Sequence, residues 1–152
     1  MDINHNEMDH IIHLCACANI RKAARIITQV YEKKMTPTGL KVTQYYMLVN
    51  IARHKKISIS QLGDIMLLDQ STITRNVNIL KKSGYVNIIR NINDSRAKLV
   101  SITEIGLAKL EEATPVWLQI QEKVENDIGK EKYKDLMETL KMIQESISLN
   151  DS

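Results

Sequence analysis

The spacing of apolar residues divides the chain into helical stretches on either side of a shorter, differently patterned middle. Met8, Ile11, Ile12, Cys15, Ala18, Ile26, Ile27 and Val30 recur at helical intervals, which predicts one long helix from Asn6 or Glu7 to about Lys34. Thr36-Pro37-Thr38-Gly39 then breaks it, since Pro lacks an amide donor and Gly turns freely. Thr43 is placed to cap a second helix with Tyr46, Met47, Leu48, Val49 and Ile51 among its apolar positions, ending in the basic cluster Arg53-His54-Lys55-Lys56.

Between Ile57 and Gly106 the elements shorten. Ser58-Ile59-Ser60-Gln61 fits the S-x-x-Q capping box and starts a helix reaching about Leu67. Gly63 sits where two crossing helices would need close approach. Asp69 caps the next helix, which carries Ile73, Val77 and Leu80 at i, i+4 and i+7 until Ser83-Gly84 stops it. With those three pointing inward, Gln70, Ser71, Thr72, Thr74, Arg75 and Asn78 are left outward. Tyr85 to Arg90 and Lys98 to Ile102 read as two strands joined by the turn-forming Asn91-Ile92-Asn93-Asp94-Ser95-Arg96. This order, two capped helices followed by a hairpin, is that of a winged helix-turn-helix. The fold class expected is therefore mainly α with a small β-hairpin wing, flanked by long dimerisation helices.

Thr103 can cap a long third region with Leu107, Leu110, Trp117, Ile120, Val124 and Ile128 on one side. Pro115 inside it removes the amide bond to Glu111 and predicts a kink. After Gly129, Tyr133, Leu136, Met137, Leu140, Ile143 and Ile147 form an amphipathic stripe. Such stripes can close on each other within one chain or against a second copy. The organisation expected is residues 1–39 as an N-terminal helix of a dimerisation region, 40–106 as a DNA-binding region and 107–152 as further dimerisation helices.

Composition narrows the class. The 152 residues are 43% hydrophobic with one Trp, five Tyr and no Phe, so aliphatic side chains must fill the core. Five Gly and two Pro favour helices over long loops. Formal net charge is only +3, but its placement is uneven. Residues 69–102 hold six Lys/Arg against two Asp/Glu, whereas residues 103–152 hold six against eleven. A basic centre and an acidic tail suit a duplex binder. No apolar run approaches the ~20 residues of a membrane span, and the first residues lack a signal-peptide pattern. A cytoplasmic protein without membrane contact is expected. Phosphate-loop, dinucleotide-binding and HExxH motifs are missing, so neither an enzyme nor a cofactor is expected.

A helix that reads the major groove needs medium-length side chains with hydrogen-bonding ends. Gln70 and Asn78 suit adenine, Arg75 suits guanine or phosphate, and the hydroxyls of Ser71, Thr72 and Thr74 suit backbone or base edges. In the hairpin, Asp94 can orient Arg96 while Arg90 and Lys98 flank them, a positive blade fit for phosphates and the minor groove. A protein-docking module built on the same winged helix is the alternative reading.

The run from Ser58 to Gly106 resembles the MarR family of winged helix-turn-helix regulators, through Leu62, Ser71-Thr72-Ile73-Thr74-Arg75, Leu80, Gly84, Asp94-x-Arg96 and Leu99 to Gly106. Gly63 stands where alanine is usual, and Ala97 where a second basic wing residue is common. The resemblance implies a homodimer on a pseudo-palindromic double-stranded operator. It further implies repression relieved by a small, often aromatic, effector or an oxidant. Cys15 resembles the reactive cysteine of the organic-hydroperoxide-sensing branch, with Tyr31, Tyr45 and Tyr46 as candidate phenols nearby. A buried, inert thiol is the competing reading. Cys15 and Cys17 would lie ~200° apart on a helix, too far for a mutual disulfide. His10, His13 and Cys17 share a face but lack a fourth ligand, and no metal is assigned. Arg96→Ala is expected to weaken binding to every duplex and to lower the slope of log affinity against log salt by about 1. Unchanged affinity across a salt titration would remove the wing assignment.

Overall fold

The computed structural model describes residues 4–90, 92–93 and 98–146. Its elements are α1 (His5–Leu14), α2 (Ala16–Met35), a 3-10 turn (Thr36–Thr38), α3 (Val42–His54), β1 (Ile57–Ser58), α4 (Ile59–Met66), α5 (Gln70–Lys82), β2 (Val86–Arg90), β3 (Lys98–Ile102), α6 (Glu104–Ile128) and α7 (Lys130–Ser146). They form two compact units, Met1–Val116 and Trp117–Ser152. The winged helix lies within the first.

The single long N-terminal helix expected from the periodicity is instead two helices. At Cys15 the backbone turns extended (φ −66°, ψ 104°). Local hydrogen bonds make this break tolerable: the Asn19 amide side chain donates to the carbonyls of His13 at 3.1 Å and Cys15 at 3.0 Å, while Cys15 Sγ accepts from the Ala18 amide at 3.4 Å. Asn19 thus serves carbonyls left open at the end of α1. α3 also starts earlier than the Thr43 cap would give. Glu32 Oε1 in α2 accepts from the Val42 amide at 3.2 Å and Gln44 Oε1 accepts from the Lys41 amide at 3.0 Å. The first of these caps comes from ten residues upstream.

Met47, Leu48 and Ile51 of α3, Leu62 of α4, Ile73, Val77 and Leu80 of α5, and Val86 and Val100 of the sheet are all buried. Each such side chain is worth roughly 1.5–3 kcal/mol against exposure. Tyr46 faces out at 52% exposure, whereas Tyr45 is buried and its hydroxyl meets Thr114 Oγ1 at 3.1 Å. Of the apolar positions expected in α3, Met47, Leu48 and Ile51 do turn inward, and Tyr46 alone faces out, its place taken by Tyr45.

β1, β3 and β2 form an antiparallel sheet in that spatial order, with Ile57 opposite Val100 and Val86 opposite Ile102. Two residues are too few to show a strand period, and Ser58 doubles as the α4 cap, accepting from the Gln61 amide at 3.1 Å while Gln61 Oε1 accepts from the Ser58 amide at 3.1 Å. β1 was therefore invisible to pattern analysis. The helical run of α6 continues through Pro115. Thr103 caps it as expected, its hydroxyl accepting from the Gly106 amide at 3.0 Å.

The end of α5, the start of β2 and the start of α6 meet at one crossing. Gly84, at φ +77°, lets its own amide reach the Lys81 carbonyl at 2.9 Å and the Tyr85 amide reach Leu80 at 3.0 Å, the paired bonds of a Schellman stop. The Thr103 hydroxyl then donates to the Gly84 carbonyl at 2.6 Å, and the Thr103 amide to Tyr85 at 3.0 Å. Gly106 passes so close that a Cβ there would lie 2.2 Å from the Tyr85 carbonyl oxygen. At Gly63 the corresponding approach, to the Leu68 carbonyl, is 3.1 Å. Gly106→Ala should therefore destabilise the fold by about 3 kcal/mol, at the upper end of overpacking costs, and Gly63→Ala by much less. Urea unfolding of both variants checks the order; equal midpoints would mean that the crossing can relax.

Candidate nucleic-acid interface

The face of α5 opposite Ile73, Val77 and Leu80 is polar and open. Gln70, Ser71, Thr74, Arg75, Asn78, Ile79 and Lys82 together line a shallow concavity of about 690 Å³. Two rows of side chains produce it, 70-74-78-82 and 71-75-79, each advancing by four residues along one helix face. Five of the six expected α5 readers are thereby brought together. Thr72 is half-buried and does not line the concavity. Ile79 and Lys82 were missed, although Lys82 continues the Asn78 row by one more turn.

Asp69 organises the start of this helix. Its carboxylate accepts from the Thr72 amide at 2.8 Å, from Ser71 Oγ at 2.5 Å and from Thr72 Oγ1 at 2.6 Å. Those bonds, the Ser71 and Thr72 hydroxyls foremost, hold its carboxyl well below the usual carboxylate range. The amide alone would make a common N-cap. Capture of both flanking hydroxyls makes it a three-donor one.

In the wing, Arg90 and Lys98 are exposed and lie directly opposite each other across the β2–β3 ladder. Asp94 and Arg96 lie outside the described residues. Like charges facing across a ladder repel, so this pair favours an anion between or beside them.

A second concavity, about 460 Å³, is lined by Cys15, Cys17, Ala18, Arg21, Lys22 and Arg25. The two thiols share it because Cys15 stands outside helical geometry, and the ~200° separation expected for a continuous helix does not apply. Both cysteines are free, Cys15 half-buried and Cys17 exposed. Arg21, Lys22 and Arg25 accompany the thiols in this lining, and among the described residues none of the expected Tyr31, Tyr45 and Tyr46 is part of it. The break also takes Cys17 out of phase with His10 and His13. Among the described residues no group of three His, Cys, Asp or Glu is placed to hold a metal, and no helix is long and apolar enough to cross a membrane.

The Asp69 carboxylate ionises more easily in the folded chain than in the unfolded one. Its contribution to stability is thus present above the ordinary carboxylate range and is lost as pH falls through and below it. Asp69→Asn should unfold at lower urea than wild type at neutral pH, and the gap should close on acidification. A gap that persists undiminished at low pH would show that charge is not what the cap supplies.

Residues 38–97 match the MarR family model. The chain is 28% identical over 134 residues, 88% of its length and 90% of the relative's, to the HTH-type transcriptional regulator SarZ of Staphylococcus saprophyticus. It is 24% identical over 112 residues, 73% of this chain and 76% of the relative, to the organic hydroperoxide resistance transcriptional regulator of Bacillus subtilis. Among solved structures, the M. tuberculosis transcriptional regulator MosR in complex with DNA superposes with a TM-score of 0.72 at 29% identity, covering 86% of this chain and 96% of that one. With α5, the wing strands and the Thr103-to-Gly106 crossing in their places, the chain has a winged helix-turn-helix fold and is similar over residues 38–97 to the MarR family.

Proposed function

We propose that the protein is a DNA-binding transcriptional regulator, a homodimeric repressor that acts in the cytoplasm, has no enzymatic activity of its own and leaves its operator when a small effector or an oxidant binds. The observation that carries DNA binding is the gathering of Gln70, Ser71, Thr74, Arg75, Asn78 and Lys82 on one open face of α5. Side chains of this length and polarity match base edges and phosphates in a major groove, which is wide enough for a helix. Thr72 contributes from the helix start through Asp69. The Arg90–Lys98 pair supplies phosphate contacts of the wing, and Arg96, which Asp94 can orient, supplies its minor-groove contact. MosR, of similar fold and 29% identity, is itself a DNA complex.

Dimerisation is supported by what one chain leaves uncovered. α1 and α7 bury no residue fully, and Ile11, Ile12, Leu14, Leu136, Met137 and Met142 are exposed. Apolar surface on this scale marks an interface. Residues 1–39 and 107–152 would then form the dimer region around the DNA-binding residues 40–106. A two-fold dimer sets two α5 helices into successive major grooves, with half-site centres ~10 bp apart. Release by oxidant draws support from the half-buried Cys15 and exposed Cys17 in one cation-lined hollow, and from the name of the Bacillus subtilis relative.

Selection of bound sequences from random duplex DNA should return a pseudo-palindrome. Arg75→Ala should then weaken binding to it by ~1–3 kcal/mol, and an organic hydroperoxide should release wild type but not Cys15→Ser. Failure to enrich any duplex would leave the fold as a protein-docking module. Operator binding that survives hydroperoxide equally in both proteins would restrict the signal to a bound effector.

A further inference from the structure

The three bonds at Asp69 have a chemical consequence for the face that α5 presents. A serine hydroxyl has one proton and two lone pairs. Ser71 directs that proton at Asp69 Oδ1, its Oγ 2.5 Å away, and Thr72 Oγ1 donates likewise to Oδ2 at 2.6 Å. An ionised carboxylate only accepts, so the direction of both bonds is settled by chemistry. Such charge-assisted bonds are roughly twice as strong as neutral ones. The carboxyl stays ionised throughout the working range, because the same hydroxyls and the Thr72 amide hold it far toward the acid side.

We propose that Asp69 fixes the polarity of the reading face, so that Ser71 meets the duplex as a hydrogen-bond acceptor and selects an exocyclic amino group, adenine N6 or cytosine N4. This rests on the DNA-binding reading above and adds a rule to it. Phosphate oxygens accept and do not donate, so Ser71 has no proton to offer them. Guanine O6 and N7, adenine N7 and thymine O4 are likewise acceptors. The only major-groove donors are the two amino groups, and every base pair holds one of them. Thr72 is half-buried and off the concavity, which leaves Ser71, exposed and lining it, to carry the preference. Its neighbours are complementary: Arg75 only donates, while Gln70 and Asn78 do both. Asp69 is therefore a positioning residue that acts through Ser71. Its own exposed charge also keeps phosphate off the N-terminus of α5, where an anion would otherwise be favoured.

The test begins with sequences selected from a random duplex library by wild type and by Ser71→Ala, to find the base pair whose preference relaxes. At that pair, the adenine or cytosine is replaced by purine or 2-pyrimidinone, which lack the amino group. Wild type should lose about three- to tenfold in affinity on this change beyond what Ser71→Ala loses, as expected for one hydrogen bond. The weakened base pairing is common to both proteins and cancels in the comparison. Asp69→Ala, which removes the acceptor of the Ser71 proton and leaves the hydroxyl free to turn either way, should shrink the extra penalty while still folding, as its unfolding curve would report. Equal losses in wild type and Ser71→Ala, or an undiminished penalty in Asp69→Ala, would overturn the assignment. If wild type enriches no duplex at all, the DNA-binding reading fails and this inference fails with it; enrichment without the coupling removes the polarity rule alone.

Discussion

The winged helix depends on one crossing of the chain, where Thr103 to Gly106 passes over Gly84 and Tyr85. Four residues converge there through hydrogen bonds, and the backbone of Gly106 comes so close that no side chain fits. The same few residues stop α5, start β2 and start α6. A small shift at this point would turn the reading helix relative to the wing, because α5 and β2 leave it in different directions from a shared carbonyl pair. The glycine at 84 is needed for its positive φ and the glycine at 106 for its missing Cβ. Two glycines thus solve different steric problems a few ångströms apart.

From that anchor the face of α5 is built in layers. Ile73, Val77 and Leu80 are buried and set the roll of the helix, Asp69 sets its first turn, and the polar rows between them come to lie over one open surface. The first turn is unusual in its economy of protons: three donors converge on one carboxylate, two of them hydroxyls that would otherwise be free to turn either way. A reading surface gains selectivity when its donors and acceptors are assigned before the duplex arrives, since an unmatched buried polar group costs more than a matched one gains. The opposed Arg90 and Lys98 add a second concentration of positive charge on the wing strands.

Regulation, in this reading, belongs outside the winged helix. The helices on its N-terminal side carry exposed isoleucines and the cation-lined hollow around Cys15 and Cys17, and α7 carries its own uncovered stripe. Elements that are not complete in one chain respond readily to a partner or a small molecule, because their burial is decided by what binds them.

Short-range chemistry determined much of this from the amino-acid order alone. The Ser58 box, the Asp69 cap, the Gly84 stop, the Thr103 cap and the inward triplet of α5 each rest on residues within about seven positions, where helical geometry dictates who meets whom. The tertiary structure decided what depends on distant neighbours. Glu32 capping Val42 moves the start of α3, Asn19 holding the carbonyls of His13 and Cys15 splits the first helix, and Val100 gives two residues at Ile57 and Ser58 a strand to pair with. The face of Tyr45 rather than Tyr46 turns inward for the same reason, since Thr114 lies 69 positions away. Periodicity registers which residues are apolar. Only packing says which partner each backbone group finds when it leaves water.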